Sequence, residues 1–181
     1  MKHPSQLKTK YKQEKEKLFK KLAKSNNGFY FNQKHTDLVD TIVKDIVSEI
    51  KKTYTVEDFT LIAVGGYGRQ DLSPKSDVDL LFIYKKSNKN IRSFITALNN
   101  SLWDVGLEVG ISFLTIKQAL IDSKKDIKTI TKFIESRYLI GDEIQYGDFI
   151  RSIKILIGKL NPLKLSELKL KELVERPVSY T

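Results

Sequence analysis

The sequence predicts a small sheet, α/β or α+β, with helices packed against it. Three observations carry this. β-rich apolar runs recur at residues 59–64, 77–84 and 107–116. Stretches of helical periodicity lie before, between and after them. A glycine pair, Gly65-Gly66, cuts the first run short. The resulting order is helix, helix, strand, glycine turn, strand, helix, strand, helices, which suits one sheet covered by helices.

Residues 5–24 are dense in lysine, with Glu14 and Glu16 among them. Leu7, Tyr11, Leu18 and Leu22 draw a thin apolar stripe at helical spacing, and Ser25-Asn26-Asn27-Gly28 is a stop signal. Thr36-Asp37 can cap a second helix, whose stripe is Leu38, Ile42, Val43, Ile46, Val47 and Ile50. Between the second and third strands, Ile91, Phe94, Ile95, Leu98 and Leu102 predict a helix over 90–103. Trp103 continues its stripe and is expected in the core. Helices are expected over 116–123, 126–137 and 149–156. Pro162 breaks the pattern, and 166–174 reads as one more helix.

Composition excludes several function classes. The chain has 181 residues, 40% of them hydrophobic, enough for a packed core. It has no cysteine, which removes disulfide scaffolds, thiolate zinc sites and cysteine nucleophiles. Two histidines, His3 and His35, make a histidine-rich metal site unlike this chain. No apolar run approaches the ~20 residues of a membrane span, and the start lacks a signal peptide pattern, so a cytoplasmic protein is expected. The net charge of +10 suits anionic partners. For the first helix, a solvated face packed by a few leucines is preferred over a nucleic-acid arm, and nucleic acid is not an expected partner.

The chemistry is expected between Gly65 and Asp79. Gly65 and Gly66 carry no Cβ, so their N–H groups can approach a phosphate. Arg69 can contact the nucleotide or hold the loop. Residues two apart on a strand share a face, so Asp77 and Asp79 project together, while Val78, Leu80 and Phe82 face the other way. Two neighbouring carboxylates repel unless a cation joins them, and Mg²⁺ takes hard oxygen ligands together with substrate phosphates. An isolated Asp-x-Asp is more often a pair of solvated acids. Here the pair follows a Gly-Gly turn and opens the apolar run Leu80-Leu81-Phe82-Ile83, where unpaired charge is costly. Glu108 is the candidate third acid of a two-metal site, with Asp104 its rival. Ser76 can orient Asp77, touch a phosphate or simply turn the chain. Asp126, Glu135 and Arg137 read as a structural ion-pair network.

The run Val64-Gly65-Gly66-Tyr67-Gly68-Arg69, followed by Leu72, Pro74 and Ser76-Asp77-Val78-Asp79-Leu80-Leu81, resembles the nucleotidyltransferase domain of bacterial PII uridylyltransferases. The resemblance continues through residues 102–110, Asp126, Ile134-Glu135-Ser136-Arg137 and Leu139-Ile140-Gly141-Asp142. It implies an α+β, polymerase-β-like nucleotidyltransferase fold with a small mixed sheet. It also implies transfer of UMP from UTP to a tyrosine of the signalling protein PII, with Mg²⁺. Gly65 and Gly66 would hold the triphosphate, Asp77 and Asp79 the metals, and Asp79 would help deprotonate the acceptor. Under this resemblance the chain divides into a basic amphipathic helix (1–28), a nucleotidyltransferase domain (29–150) and a C-terminal helical extension (151–181). One block departs: where the family reads His-Ser-x-Arg-Thr, this chain has Ile111-Ser112-Phe113-Leu114-Thr115. Family members are several times longer, so the chain is either a piece of a longer protein or a shortened gene product. Two other functions stay open: a nucleotide-binding regulatory domain with weakened turnover, and a small nucleotidyltransferase with another acceptor.

Overall fold

A computed structural model of the protein describes residues 4–25 and 27–160, and beyond them only residues 163, 166 and 170. Its elements are α1 (Pro4–Ser25), α2 (Gly28–Lys51), β1 (Phe59–Ala63), α3 (Gly65–Gly68), β2 (Val78–Tyr84) and α4 (Lys89–Val105). They continue with β3 (Val109–Leu114), α5 (Ile116–Lys125), α6 (Ile127–Ile134), β4 (Arg137–Gly141) and α7 (Glu143–Gly158). The strands form one mixed sheet in the order β3-β2-β1-β4. β1 runs antiparallel to both β2 and β4, and β2 runs parallel to β3 across the α4 crossover. The mixed α+β architecture expected from the sequence is thus observed.

All five residues of β1 are buried. A strand covered on both faces reads as a continuous apolar run rather than an alternation. Its odd and even side chains enter different cores. Phe59, Leu61 and Ala63 join Val78, Leu80 and Phe82 with the apolar stripes of α1, α2 and α4. Ile62 joins Val64, Leu81 and Ile83 with Ala119, Phe133, Phe149 and Ile153 of α5, α6 and α7. Truncating one such buried aliphatic side chain to alanine costs about 2–5 kcal/mol. The exposed i,i+3 pairs, such as Lys17–Glu14 and Lys52–Glu49, contribute at most about 0.5 kcal/mol each. The two cores, and not the many surface charges, therefore hold the fold.

Several expectations need correction. α2 starts at Gly28 under an Asn27 cap, eight residues ahead of the expected Thr36-Asp37 cap. Phe31 and His35 extend the buried stripe upstream, and the Thr36 hydroxyl donates back to the Asn32 carbonyl at 2.8 Å inside the helix. Residues 126–137 are not one helix. α6 ends at Ile134, and Arg137 opens β4, which covers the second edge of β1. Trp103 is 56% exposed, since the α4 stripe ends on Leu102 and Val105. α7 begins at Glu143 under the Asp142 cap, six residues before the expected start. The helix expected over 166–174 and the break at Pro162 lie outside the continuously described residues.

α1 packs through Leu7 and Tyr11, both buried, and its lysines stay on the solvated side. The Tyr11 hydroxyl meets His35 Nε2 at 3.2 Å, and His35 Nδ1 meets the Leu72 carbonyl at 3.2 Å. A carbonyl only accepts, so Nδ1 carries the proton, and in the neutral ring Nε2 accepts from Tyr11. The ring joins α1, α2 and the loop after α3. Burial lowers the His35 pKa below its ordinary value; the Leu72 carbonyl opposes this and the Lys15 charge reinforces it. A histidine with a depressed folded pKa stabilises the fold above its unfolded pKa of about 6.5, and that stability is lost as the pH falls below it. The urea midpoint of the protein should drop between pH 7.5 and pH 5.5. In His35→Gln, which cannot titrate, that part of the drop should be missing.

Candidate active site

β1 carries the chain to Val64, whose N–H donates to the Asp79 carbonyl at 3.1 Å. Gly65 then turns with φ of 61°, the left-handed region that glycine enters without strain. The single turn of α3 follows, closed by Arg69 N–H to the Gly65 carbonyl (3.0 Å) and Asp71 N–H to the Gly66 carbonyl (2.9 Å). Gly68 lies flat against the segment leaving α6: a Cβ there would overlap the Glu135 carbonyl oxygen. The third glycine of the run is thus a packing requirement, distinct from the phosphate role assigned to the first two.

Asp79 is the second residue of β2, on the face of Leu81 and Ile83. Asp77 stands just ahead of the strand and is exposed. In the parallel register Asp79 lies opposite Gly110, and Val78 N–H donates to the Glu108 carbonyl at 2.8 Å. Extending the alternation puts Asp77, Asp79, Glu108 and Gly110 on one face. A Cβ on Gly110 would stand 3.0 Å from Asp79 Oδ1, and one on Gly65 would stand 3.4 Å from Oδ2. The carboxylate therefore occupies a slot between two glycines, one from the β1 turn and one from β3. Lys132 of α6 closes the slot, donating from Nζ to Asp79 Oδ1 at 2.7 Å. Both side chains are 34% exposed.

The remaining candidates separate. Among the described residues no three His, Cys, Asp or Glu side chains gather closely enough to hold a metal ion, so Asp77, Asp79 and Glu108 do not converge. Glu108 is exposed at the strand edge. Asp104 is exposed in the last turn of α4, a helix packed on the opposite side of the sheet. Ser76 is exposed and closes a turn by donating its N–H to the Ser73 carbonyl at 3.1 Å. Arg69 forms an ion pair with Glu135, tying α3 to the end of α6. Asp126 caps α6 through the N–H groups of Lys128 and Thr129. Asp126, Glu135 and Arg137 therefore form no network with one another, because Arg137 belongs to β4 and points to α2.

Arg137 belongs to a polar knot behind the glycine turn. It donates to both carboxylate oxygens of Asp40 at 2.6 and 3.0 Å and to the Tyr67 carbonyl at 3.3 Å. The Tyr67 hydroxyl also donates to Asp40, at 2.7 Å, and its ring lies under the guanidinium at 5.5 Å. Burial, then the Asp40 charge, pushes the Tyr67 hydroxyl well above its usual pKa, so it stays a donor. Burial alone would weaken the Arg137 charge, but the hydrogen bonds and charge of Asp40 outweigh it and raise the Arg137 pKa. The knot joins α2, α3 and β4. Sequence reading missed Asp40 and Lys132. Asp40 lies 97 residues from Arg137, and both acid and lysine sit in ordinary amphipathic helices.

A family profile described as a nucleotidyltransferase domain matches residues 41–147. That span runs from α2 into α7 and contains all four strands, the glycine turn and Asp79. The chain belongs to the nucleotidyltransferase domain family. Relatives named bifunctional uridylyltransferase/uridylyl-removing enzyme match about half or more of the chain. The one from Idiomarina loihiensis is 36% identical over 119 residues, which is 60% of this chain and 13% of that one. The one from Pseudoalteromonas translucida is 42% identical over 90 residues, 49% of this chain and 10% of that one. The one from Rhodospirillum rubrum is 40% identical over 92 residues, 50% of this chain and 10% of that one. The chain thus spans 10–13% of the length of these relatives. A solved toxin–antitoxin structure with AMP-PNP aligns at a TM-score of 0.39 and 12% identity, over 72% of this chain and 96% of that one.

For this nucleotidyltransferase domain, the Asp40–Arg137 pair makes a sharp stability test. Arg137→Ala leaves a half-buried carboxylate with one partner fewer and should lower unfolding free energy by about 2–4 kcal/mol. In urea unfolding, Asp40→Ala combined with Arg137→Ala should cost clearly less than the two single losses added together.

Proposed function

We propose that this domain transfers UMP from UTP to a tyrosine hydroxyl of a PII-type signalling protein, with Mg²⁺ held by Asp77 and Asp79. The observation that carries this reading is the Asp79 slot. A half-buried carboxylate sits between Gly65 and Gly110, where no Cβ crowds its oxygens, directly beside the turn that exposes backbone N–H groups. Two carboxylates at i and i+2, one of them paired with a third-exposed lysine that can turn aside, suit Mg²⁺, which takes one or two protein carboxylates and fills its shell with water and phosphate oxygens. The match to bacterial uridylyltransferases supports the choice of nucleotide, and the resemblance in the glycine and aspartate blocks supports the acceptor.

In the proposed reaction the tyrosine oxygen forms a bond to the α-phosphorus of UTP, the bond from that phosphorus to pyrophosphate breaks, and the tyrosine proton leaves towards Asp79. Asp77 and Asp79 would hold Mg²⁺, which would neutralise charge on the phosphate oxygens and so favour in-line displacement. Gly65 and Gly66 hold the triphosphate with backbone N–H groups. Arg69 and Ser76 support the loops on either side, and Glu108 is the third acid on the shared face.

Ile111 and Leu114, the changed positions of the third strand, both stand apart from Asp79. Ile111 packs into the core on the side away from Asp79. Leu114 lies on the same side as Asp79 but four residues beyond Gly110, about 13 Å along the strand.

The test incubates the full chain with each ribonucleoside triphosphate, Mg²⁺ and a purified PII-type protein, and follows labelling of the acceptor. UTP should label it. Asp77→Asn and Asp79→Asn should each reduce labelling by about 10³-fold or more. Labelling that survives the double substitution overturns the assignment. Glu108→Gln should reduce it by at least about tenfold, and unchanged transfer would remove Glu108 from the site. Tight nucleotide binding with no labelling of any acceptor would instead mark a regulatory domain.

A further inference from the structure

Asp79 already has a cationic partner. Lys132 Nζ lies 2.7 Å from Oδ1, the oxygen that also faces Gly110. The other oxygen, Oδ2, faces Gly65, and the Lys132 Cγ lies 3.9 Å from where a Gly65 Cβ would be. The lysine stem therefore runs past the glycine turn on its way to the carboxylate. A divalent cation approaching Asp79 meets an ammonium in the same slot, and like charges at such separations repel strongly away from bulk water. Lys132 is one-third exposed, so its four-carbon stem has room to turn. Around the slot, Arg69 is engaged with Glu135 and Arg137 with Asp40, while Lys132 is the cation paired with Asp79.

We propose that Lys132 is a resident counter-ion of Asp79 that the incoming metal–nucleotide complex displaces, and that the freed ammonium then binds the triphosphate at the Gly65-Gly66 turn. The proposal rests on the reading of this face as a metal–nucleotide site. Its logic is a charge exchange. Without ligand, Lys132 compensates a carboxylate at the mouth of a buried strand. With ligand, the metal takes over that role, and the phosphates bring new negative charge within a short side-chain rotation of the ammonium. Metal alone must evict Lys132 without offering it a new partner, whereas metal with nucleotide offers one. The site thereby disfavours bare metal and favours the complete complex.

This separates Lys132 from a structural ion pair by the sign of its effects. The full-length chain is titrated with Mn²⁺ alone, reading free Mn²⁺ by electron paramagnetic resonance. It is then titrated with each of the four ribonucleoside triphosphates in the presence of Mn²⁺, reading heat. Lys132→Met should bind Mn²⁺ alone about tenfold more tightly and Mn²⁺–nucleotide about tenfold more weakly than the unaltered protein. Lys132→Arg, which keeps the charge, should restore most of the nucleotide affinity. Thermal unfolding of Lys132→Met establishes that it is folded during both titrations. If Lys132→Met binds Mn²⁺ no more tightly, or binds Mn²⁺–nucleotide as well as the unaltered protein, the exchange is refuted while the site stands. If the unaltered protein binds none of the four Mn²⁺–nucleotides, the metal–nucleotide reading fails, and the exchange with it.

Discussion

β1 and β2 have apolar cores on both faces, so a charge on either strand can be tolerated only where the strand leaves the core, and only with partners. Asp79 obeys this constraint. It sits one residue inside β2, its carbonyl accepts from Val64, and its carboxylate is flanked by two glycines and a lysine. Leaving such a carboxylate unpaired would destabilise the fold, less than at a fully buried site because a third of the side chain reaches water. The slot around Asp79 is accordingly the place where the demands of the cores meet those of the site proposed for an anionic substrate. Glycines keep the carboxylate oxygens accessible, and a cation keeps them compensated.

The rest of the site is held in place indirectly. The glycine turn has no apolar side chain of its own except Tyr67, and Tyr67 is fixed from behind by Asp40 and Arg137. Gly68 lies against the Glu135 carbonyl, and Arg69 pairs with the Glu135 carboxylate. Contacts from α2, β4 and the end of α6 therefore converge on four residues of α3. α6, which is followed directly by the Glu135 that meets the turn, also carries Lys132 to Asp79. A shift of α6 would move both the loop and the counter-ion, which couples the geometry of the turn to that of the carboxylate.

The net charge of +10 has a divided role. Most lysines of α1 face solvent and stabilise little by pairing, because exposed ion pairs gain little against water. Arg69, Lys132 and Arg137 are different, since each is matched to one acid on another element. Basic composition alone points to anionic partners in general. These three pairs show which positive charges are built into the folded structure around the glycine turn, and only Lys132 among them shares a slot with Asp79.

Much of the local structure was legible in the residue order, for a physical reason: periodicity and turn chemistry are local. The apolar run before Gly65, the same-face relation of Asp77 and Asp79 and the stripes of α2 and α4 follow from backbone geometry and need no tertiary information. The start of α2, the strand β4 and the exposure of Trp103 did not follow. A five-residue strand such as Arg137–Gly141 forms because β1 has a free edge to pair with, and a tryptophan at the end of a helical stripe is buried only if something covers it. The sequence by itself determined a small sheet packed by helices, the glycine turn and the acids close to it in the chain. Only the tertiary structure decided that Asp40 belongs with Arg137 and Asp79 with Lys132, because pairs 97 and 53 residues apart depend on how helices dock and leave no trace in local pattern.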